Sequence, residues 1–226
     1  MNKEITMPKK FLRAATNSGC GKTTLTVGLL RSLVNRGLKV QPYKCGPDYI
    51  DTQYHEIASG VGSVNLDTHF MSEQHLRDVF SHYGENVDVQ VVEGVMGLFD
   101  GYDRWRGSTA EIARLLDIPV LLIVNARSMA YSAAALIHGF TTLWEDLRFA
   151  GVVFNQVGSE RHAMFLRQSC EDTGVPCVGC LPRVKELSMH SRHLGLSLEH
   201  RQEIESMICR ASDLVENNMD LNTLLR

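Results

Sequence analysis

A glycine-rich segment near the start of the chain carries the clearest chemical signal. Residues 15–24 match the motif G-x-x-x-x-G-K-(S/T), except that Thr16 occupies the position of the first glycine. In such a loop, backbone N–H groups surround a phosphate, Lys22 reaches the β and γ oxygens, and the Thr23 hydroxyl is placed for Mg²⁺. The motif therefore predicts an ATP and Mg²⁺ site formed by Thr16, Asn17, Ser18, Gly19, Cys20, Gly21, Lys22, Thr23 and Thr24.

Acidic residues further along the chain are candidates for the other half of this site. Glu93 follows Val91 and Val92 at the end of a predicted strand, where a carboxylate can hold the metal of a phosphoryl-transfer enzyme. Because a lone buried carboxylate is costly, Glu93 is expected to be either metal-bound or ion-paired. The stretch 43–51 adds Lys44, Asp48 and Asp51, although this composition alone fits a polar surface turn equally well.

The elements that must position these residues follow an α/β pattern. Short apolar runs alternate with helical periodicity along the chain, which predicts a mostly parallel sheet with helices on both faces. Ligands of such sheets bind beyond the carboxyl ends of the strands, which places Glu93 at the tip of the third predicted strand. We predict strands at 11–16, 38–43, 87–92, 119–124, 149–154 and 175–181, and helices at 22–36, 72–83, 108–116, 129–144, 159–173 and 198–215. A capping box, Ser108 with Glu111, supports the helix start at 108.

Composition and charge exclude several other classes of protein. The 226 residues carry a net charge of -3, which gives no electrostatic reason to bind nucleic acid or an anionic membrane. No apolar run reaches the roughly 18 residues that span a bilayer, and residues 1–10 lack a secretory signal. We therefore expect a cytoplasmic protein with one domain over residues 1–226.

The nine histidines show no metal-ligand spacing on a predicted helix face, and we predict that most are ordinary surface or core residues. This group comprises His55, His69, His75, His82, His138, His190 and His200. The pairs Arg161-His162 and Arg192-His193 are better candidates, because they lie on the expected ligand side and carry cations that can meet a polycarboxylate.

Several longer segments resemble the ATP-binding domain of cobyrinic acid a,c-diamide synthases. The resemblance runs from the glycine-rich loop to residue 196, through segments 44–51, 65–67, 93–101, 107–113, 155–162, 181–183 and 192–196. It implies a dethiobiotin-synthetase-like P-loop NTPase fold. It also implies ATP-dependent amidation of two acetate side chains of cobyrinic acid, or a related tetrapyrrole polycarboxylate, through an acyl phosphate.

The resemblance also implies roles for individual residues. Thr23, Asp48 and Glu93 would be metal ligands, and Lys44, Asp48, Asp51 and Asp100 would be catalytic, with Asp100 holding the substrate or intermediate. Asn155, Pro182 and Arg183 would lie at the adenine. Related folds usually form homodimers, so we expect the same here.

Nitrogen delivery is the point at which the chain departs from the family pattern. The resemblance implies a carboxy-terminal glutaminase domain, whereas the sequence ends about 30 residues after the last shared motif. We therefore expect this domain to be absent from the chain. The ammonia would then come from a separate glutaminase chain or domain, or the protein would use free ammonia from solution.

Three alternative functions share the fold. A ParA/MinD-like nucleotide-switch ATPase would carry a lysine near the start of the loop, where this chain has Thr16. A dethiobiotin-type carboxylase has a different loop from the one that follows Glu93 here. A non-catalytic paralogue is the third alternative, and the joint presence of Lys22, Thr23, Asp48, Asp51 and Glu93 argues against it.

Overall fold

The computed structural model describes residues 8–184, 187 and 198–225. Its strands are β1 (Lys9–Ala15), β2 (Val40–Cys45), β3 (Val64–Leu66), β4 (Val89–Glu93), β5 (Val120–Asn125), β6 (Phe149–Val157) and β7 (Cys177–Pro182). They form one sheet in the order β3-β2-β4-β1-β5-β6-β7, and all neighbouring strands are parallel. The predicted parallel α/β fold is therefore confirmed.

Helices cover both faces of the sheet. They are α1 (Lys22–Asn35), α2 (Asp51–Ser59), α3 (Glu73–Tyr83), α4 (Thr109–Leu115), α5 (Ala133–Thr142), α6 (Glu160–Thr173), α7 (Leu198–Asn218) and α8 (Leu221–Leu224). One apolar core lies between the sheet and α1 and α7, and a second core lies between the sheet and α3 to α6. No helix among the described residues combines the length and the apolar composition needed to cross a bilayer.

Three elements were not predicted, namely β3, α2 and the four-residue α8, and of these α2 lines the site. The strand β3 has only three residues, so it shows almost no alternation of apolar and polar side chains. The helix α2 buries His55, Ala58 and Ser59, a face without a large aliphatic side chain. The prediction that Glu93 ends the third strand is wrong by one, because β3 precedes its strand and makes that strand β4.

Local chemistry explains where other helices begin. The Ser108 hydroxyl accepts a hydrogen bond from the Glu111 N–H, as the capping box predicts. The Glu111 carboxylate does not reach back to Ser108, because it accepts instead from the Gly107 N–H and the Thr68 hydroxyl. Residues 126–131 form turns rather than the predicted start of a helix, so α5 begins at Ala133.

One edge of the sheet is short and the other is partly covered. At one edge, the three-residue β3 pairs only with the last residues of β2, Tyr43 to Cys45. At the other edge, Gly179 of β7 forms an antiparallel bridge with Met219, and the Asp220 N–H donates to the Val178 carbonyl at 2.8 Å. Very short edge strands and covered edges are two ways in which proteins limit pairing with a strand of another chain.

Candidate functional site

A cavity of about 620 Å³ opens at the carboxyl ends of β1, β2 and β4. After β1 the strands are added towards one edge of the sheet, and after β4 they are added towards the other edge. Open α/β sheets bind ligands at the point where the direction of strand addition reverses. Most of the predicted site residues line this cavity: Ser18, Gly19, Gly21, Lys22, Thr23, Thr24, Lys44, Asp48, Asp51, Glu93, Asn155 and Pro182. Thr16, Asn17, Cys20, Asp100 and Arg183 are not among its lining residues.

The glycine-rich loop is shaped by contacts within it and from β6. The Asn17 carboxamide oxygen accepts hydrogen bonds from the Thr16 hydroxyl and the Cys20 thiol, so these three residues fix the shape of the loop. The Asn155 amide donates to the Cys20 carbonyl at 2.9 Å. Gly21 caps α1 with φ +87°, and a Cβ there would lie 2.6 Å from the Asn155 amide nitrogen.

Replacing Gly21 with alanine is expected to weaken ATP binding and to cost about 1 to 2 kcal/mol of stability. The left-handed backbone disfavours a side chain, and the added Cβ would push Asn155 away from the loop. Isothermal titration with ATP and urea denaturation measure the two effects. Gly139→Ala in α5 is the matched control, because nothing lies within 4 Å of its Cβ position and alanine favours a helix. Equal ATP affinity in both variants would contradict the prediction.

Side-chain oxygen atoms of Thr23, Asp51 and Glu93 lie close together in the cavity wall. The Thr23 hydroxyl lies 2.8 Å from one Glu93 oxygen and 3.3 Å from one Asp51 oxygen. Mg²⁺ prefers such hard oxygen atoms and is usually held by one or two carboxylates, waters and substrate phosphates. The residues therefore fit Mg²⁺ bound together with a nucleotide. Among the described residues, no group of three or more His, Cys, Asp or Glu side chains is arranged to hold a metal without such help.

The two carboxylates have opposite electrostatic environments. Burial raises the pKa of Glu93, but the hydrogen bond from His55 and the charges of His55 and Lys44 outweigh burial and hold this pKa near 2. For Asp51, burial and the negative charges of Glu93 and Asp48 raise the pKa to about 6. Bringing Asp51 to the site as an anion is therefore energetically costly for the folded chain.

Replacing Asp51 with asparagine is expected to stabilise the chain at pH 7.5 without divalent cations, by on the order of 1 to 2 kcal/mol. The Asp51 pKa in the fold, about 6, lies above its ordinary value of 3.8, so the free-energy cost of ionising Asp51 in the fold grows between pH 4 and 6 and is complete above pH 6. The difference should shrink as the pH falls from about 6 to 4 and vanish below that, where the carboxyl is protonated in both states. Urea denaturation in EDTA at several pH values measures this difference. A less stable Asp51→Asn variant at pH 7.5 would show that the nearby Lys44 outweighs the repulsion.

Lys44 is a buried ammonium group between the acidic residues. Its Nζ donates to the Cys45 carbonyl at 3.1 Å and lies 3.8 Å from Asp48 and 3.9 Å from Asp51. One Asp48 oxygen accepts from the N–H groups of Ile50 and Asp51, both at 2.9 Å, which fixes the turn into α2. The other Asp48 oxygen faces Lys44, so the segment 44–51 is a charged part of the cavity wall.

The loop after β4 lies against the phosphate loop. Lys22 Nζ donates to the Met96 carbonyl at 2.5 Å, and burial lowers the pKa of Lys22. The Asp100 carboxylate accepts from the Gly97 N–H at 3.0 Å, so in this structure Asp100 shapes the loop. The Thr109 hydroxyl, at the start of α4, bonds both the N–H and the carbonyl of Val95. Asp100 therefore affects the site by shaping this loop, and its side chain does not line the cavity.

Two buried residues of the site were not predicted. Arg13, Glu93 and Lys44 are direct neighbours across β1, β4 and β2. Burial lowers the pKa of Arg13 to about 10, and the three nitrogens of its guanidinium have no hydrogen-bond partner among the described residues. His55, which we expected to be an ordinary histidine, bonds Glu93 directly at 2.8 Å. The spacing of four residues between Asp51 and His55 on one helix was the signal available in the sequence.

Two of the three residues expected near the adenine line the cavity. Asn155 and Pro182 line it, whereas Arg183 is exposed beside it and donates its N–H to the Val157 carbonyl. His162 bonds the Gly158 N–H and the Met129 carbonyl, so both of its ring nitrogens are engaged with the backbone. The pair Arg192-His193 and the shared segment 192–196 lie outside the described residues.

Comparison with known proteins gives the family of the chain and its curated relatives. Residues 11–196 match the family described as the CobQ/CobB/MinD/ParA nucleotide binding domain. The chain is 43% identical over 221 residues to a cobyrinate a,c-diamide synthase of Listeria innocua, covering 96% of this chain and 49% of the relative. It is 45% identical over 219 residues to a hydrogenobyrinate a,c-diamide synthase of Brucella anthropi, covering 96% of this chain and 50% of the relative. The chain thus spans about half the length of these curated relatives.

Solved structures support the fold alone. Chloroplast FtsY from Physcomitrella patens superposes with a TM-score of 0.56 at 14% identity, over 92% of this chain and 69% of that one. FtsY from Mycoplasma mycoides gives the same TM-score and identity, over 92% of this chain and 68% of that one. Because the family match covers most of the sequence and includes the phosphate loop, the chain belongs to the CobQ/CobB/MinD/ParA nucleotide-binding domain family.

Proposed function

We propose that this chain is the ATP-dependent amidoligase portion of a cobyrinate-type a,c-diamide synthase. The observation that carries the proposal is the meeting of the Thr23, Asp51 and Glu93 oxygens beside Lys22 and Lys44 at one end of a cavity of about 620 Å³. The similarity to cobyrinate and hydrogenobyrinate a,c-diamide synthases supports the substrate class, a tetrapyrrole polycarboxylate.

The proposed reaction has two steps. A substrate carboxylate oxygen attacks the γ-phosphorus of ATP, the bond to the β-phosphate oxygen breaks, and ADP departs. The product of this step is an acyl phosphate. Ammonia then attacks the acyl carbon, phosphate leaves with the bonding electrons, and loss of a proton gives the amide. Repetition at the second acetate gives the diamide.

The residues have separate tasks in this proposal. Lys22 and the loop N–H groups bind the β and γ phosphates, while Thr23, Glu93 and Asp51 hold Mg²⁺, with Asp48 beside them. Bound Mg²⁺ neutralises charge on the phosphate oxygens. Lys44 compensates the acidic cluster, and Asp100 holds the substrate once its loop adapts. Asn155, Pro182 and Arg183 contact the adenine side.

Mass spectrometry of the products tests the reaction directly. The chain would be incubated with ATP, Mg²⁺, ammonium and either cobyrinic or hydrogenobyrinic acid. Each amidation lowers the product mass by the difference between OH and NH₂. Substrate carboxylates labelled with heavy oxygen should transfer one labelled atom to the released phosphate for each amide. Amide formation without label transfer would exclude the acyl phosphate, and an unchanged tetrapyrrole would exclude the ligase.

The same incubation separates the ligase from a nucleotide switch. A switch ATPase of the ParA/MinD type would associate in the presence of ATP and hydrolyse it without changing any tetrapyrrole. Light scattering with and without ATP records such association. Ammonium also makes the test independent of a glutaminase, which we propose as the source of ammonia on a separate domain or chain.

A further inference from the structure

His55 is fully buried in α2, one turn after Asp51, and contacts the site from behind. Its Nε2 lies 2.8 Å from one Glu93 oxygen, while the other Glu93 oxygen accepts the Thr23 hydroxyl at 2.8 Å. Its Nδ1 lies 3.0 Å from the Ser63 hydroxyl, which fixes the ring from the opposite side. A chain of contacts therefore runs from Ser63 through His55 and Glu93 to the phosphate loop.

The chemistry of the groups fixes the direction of the hydrogen bond. An ionised carboxylate can only accept, so Nε2 of His55 must donate to Glu93. That bond occupies one Glu93 oxygen and sets the rotation of the carboxylate. The second oxygen is thereby held towards Thr23, on the cavity side where a metal would bind.

We infer that His55 is a positioning residue that holds Glu93 in the orientation needed to bind the divalent cation of a metal–nucleotide complex. The inference rests on the metal role of Glu93 in the proposed function. Hydrogen-bond partners of metal-binding carboxylates usually change metal affinity by roughly 10- to 100-fold when they are removed. His55 would act through Glu93 and would contact neither the phosphates nor the acid substrate.

Metal binding provides a test that does not depend on turnover. Mn²⁺, a hard divalent ion with the same preference for oxygen, can be titrated by electron paramagnetic resonance in the presence of a non-hydrolysable ATP analogue. We expect His55→Asn to weaken Mn²⁺ binding by roughly 10- to 100-fold, because the shorter amide cannot reach Glu93. His55→Gln, whose amide nitrogen extends further, should recover most of the affinity. His138→Gln on the exposed face of α5 is the control.

A purely structural role predicts a different pattern. Loss of packing would lower metal-free nucleotide affinity, measured in EDTA, as much as Mn²⁺ affinity, and it would affect His55→Asn and His55→Gln alike. Either that pattern or unchanged Mn²⁺ affinity in His55→Asn would overturn the inference. A wild-type chain that binds Mn²⁺ and nucleotide but forms no amide would instead refute the ligase proposal, and the His55 comparison would still be decided by the titrations.

Discussion

Replacing Lys22 with alanine is expected to lower ATP turnover by about 100- to 1,000-fold. The ammonium group lies at the tip of the phosphate loop, where it is partly withdrawn from water and can neutralise charge that develops on the transferred phosphoryl group. Water cannot replace a fixed cation in this position without reorganising during the reaction. Phosphate release measured at saturating Mg²⁺ and substrate gives the effect on the chemical step.

A matched lysine at the opposite end of the sheet controls for general loss of charge. Lys39 precedes β2 and is exposed, and Lys39→Ala removes the same charge at a distance from the cavity. We expect this variant to retain wild-type turnover. An undiminished rate in Lys22→Ala would show that the phosphate loop takes no part in the reaction, and it would contradict the proposed ligase function.

Replacing Glu93 with glutamine should lower turnover by a similar factor, about 100- to 1,000-fold, and raise the Mg²⁺ concentration needed for half-maximal rate. Glutamine keeps the shape of the side chain but removes its charge. Lys44 and Arg13 then lose their central counter-charge, and breaking such a buried arrangement costs about 3 to 5 kcal/mol. Steady-state rates across a Mg²⁺ series and urea denaturation measure the two effects.

The stability loss in Glu93→Gln should depend on pH in a defined way. The Glu93 pKa falls from 4.5 to about 2 on folding, so its stabilising charge is fully present above pH 4.5 and is lost as the pH falls towards 2. Glu85→Gln at an exposed turn is the control, for which we expect neither effect. A Mg²⁺ dependence identical to wild type would move the main metal ligand from Glu93 to Asp51.

The sequence predicted the elements with strong periodicity and failed where polar residues carry the buried face. Alternation and helical spacing identified six of the strands and most helices because their apolar side chains form the two cores. The helix α2 was not predicted, because its buried face carries His55 at a position where an amphipathic helix usually has a leucine. With α2 missing, His55 could not be placed one turn from Asp51, and it was assigned to the ordinary histidines.

The sequence motifs predicted which side chains would lie around one cavity. The position of Lys22, Thr23, Asp51 and Glu93 around one cavity agrees with the motif spacing and with parallel strands that end at the same edge. Arg13 was not predictable, because its role as the neighbour of Glu93 depends on β4 lying between β1 and β2. A pairing between strands far apart in sequence leaves no local pattern in either strand.

The short edge at β3 and the partly covered edge at β7 limit how this molecule can associate. An open sheet can otherwise extend into a neighbouring copy through free backbone groups, which is a common route to fibrils and precipitates. Here β3 is only three residues long, and Met219 and Asp220 bond to the backbone of β7. Both features reduce the number of backbone groups that could pair with a strand of another molecule. We therefore expect any pairing of two copies to use helices or loops, and the chain to tolerate high concentration without cross-β growth.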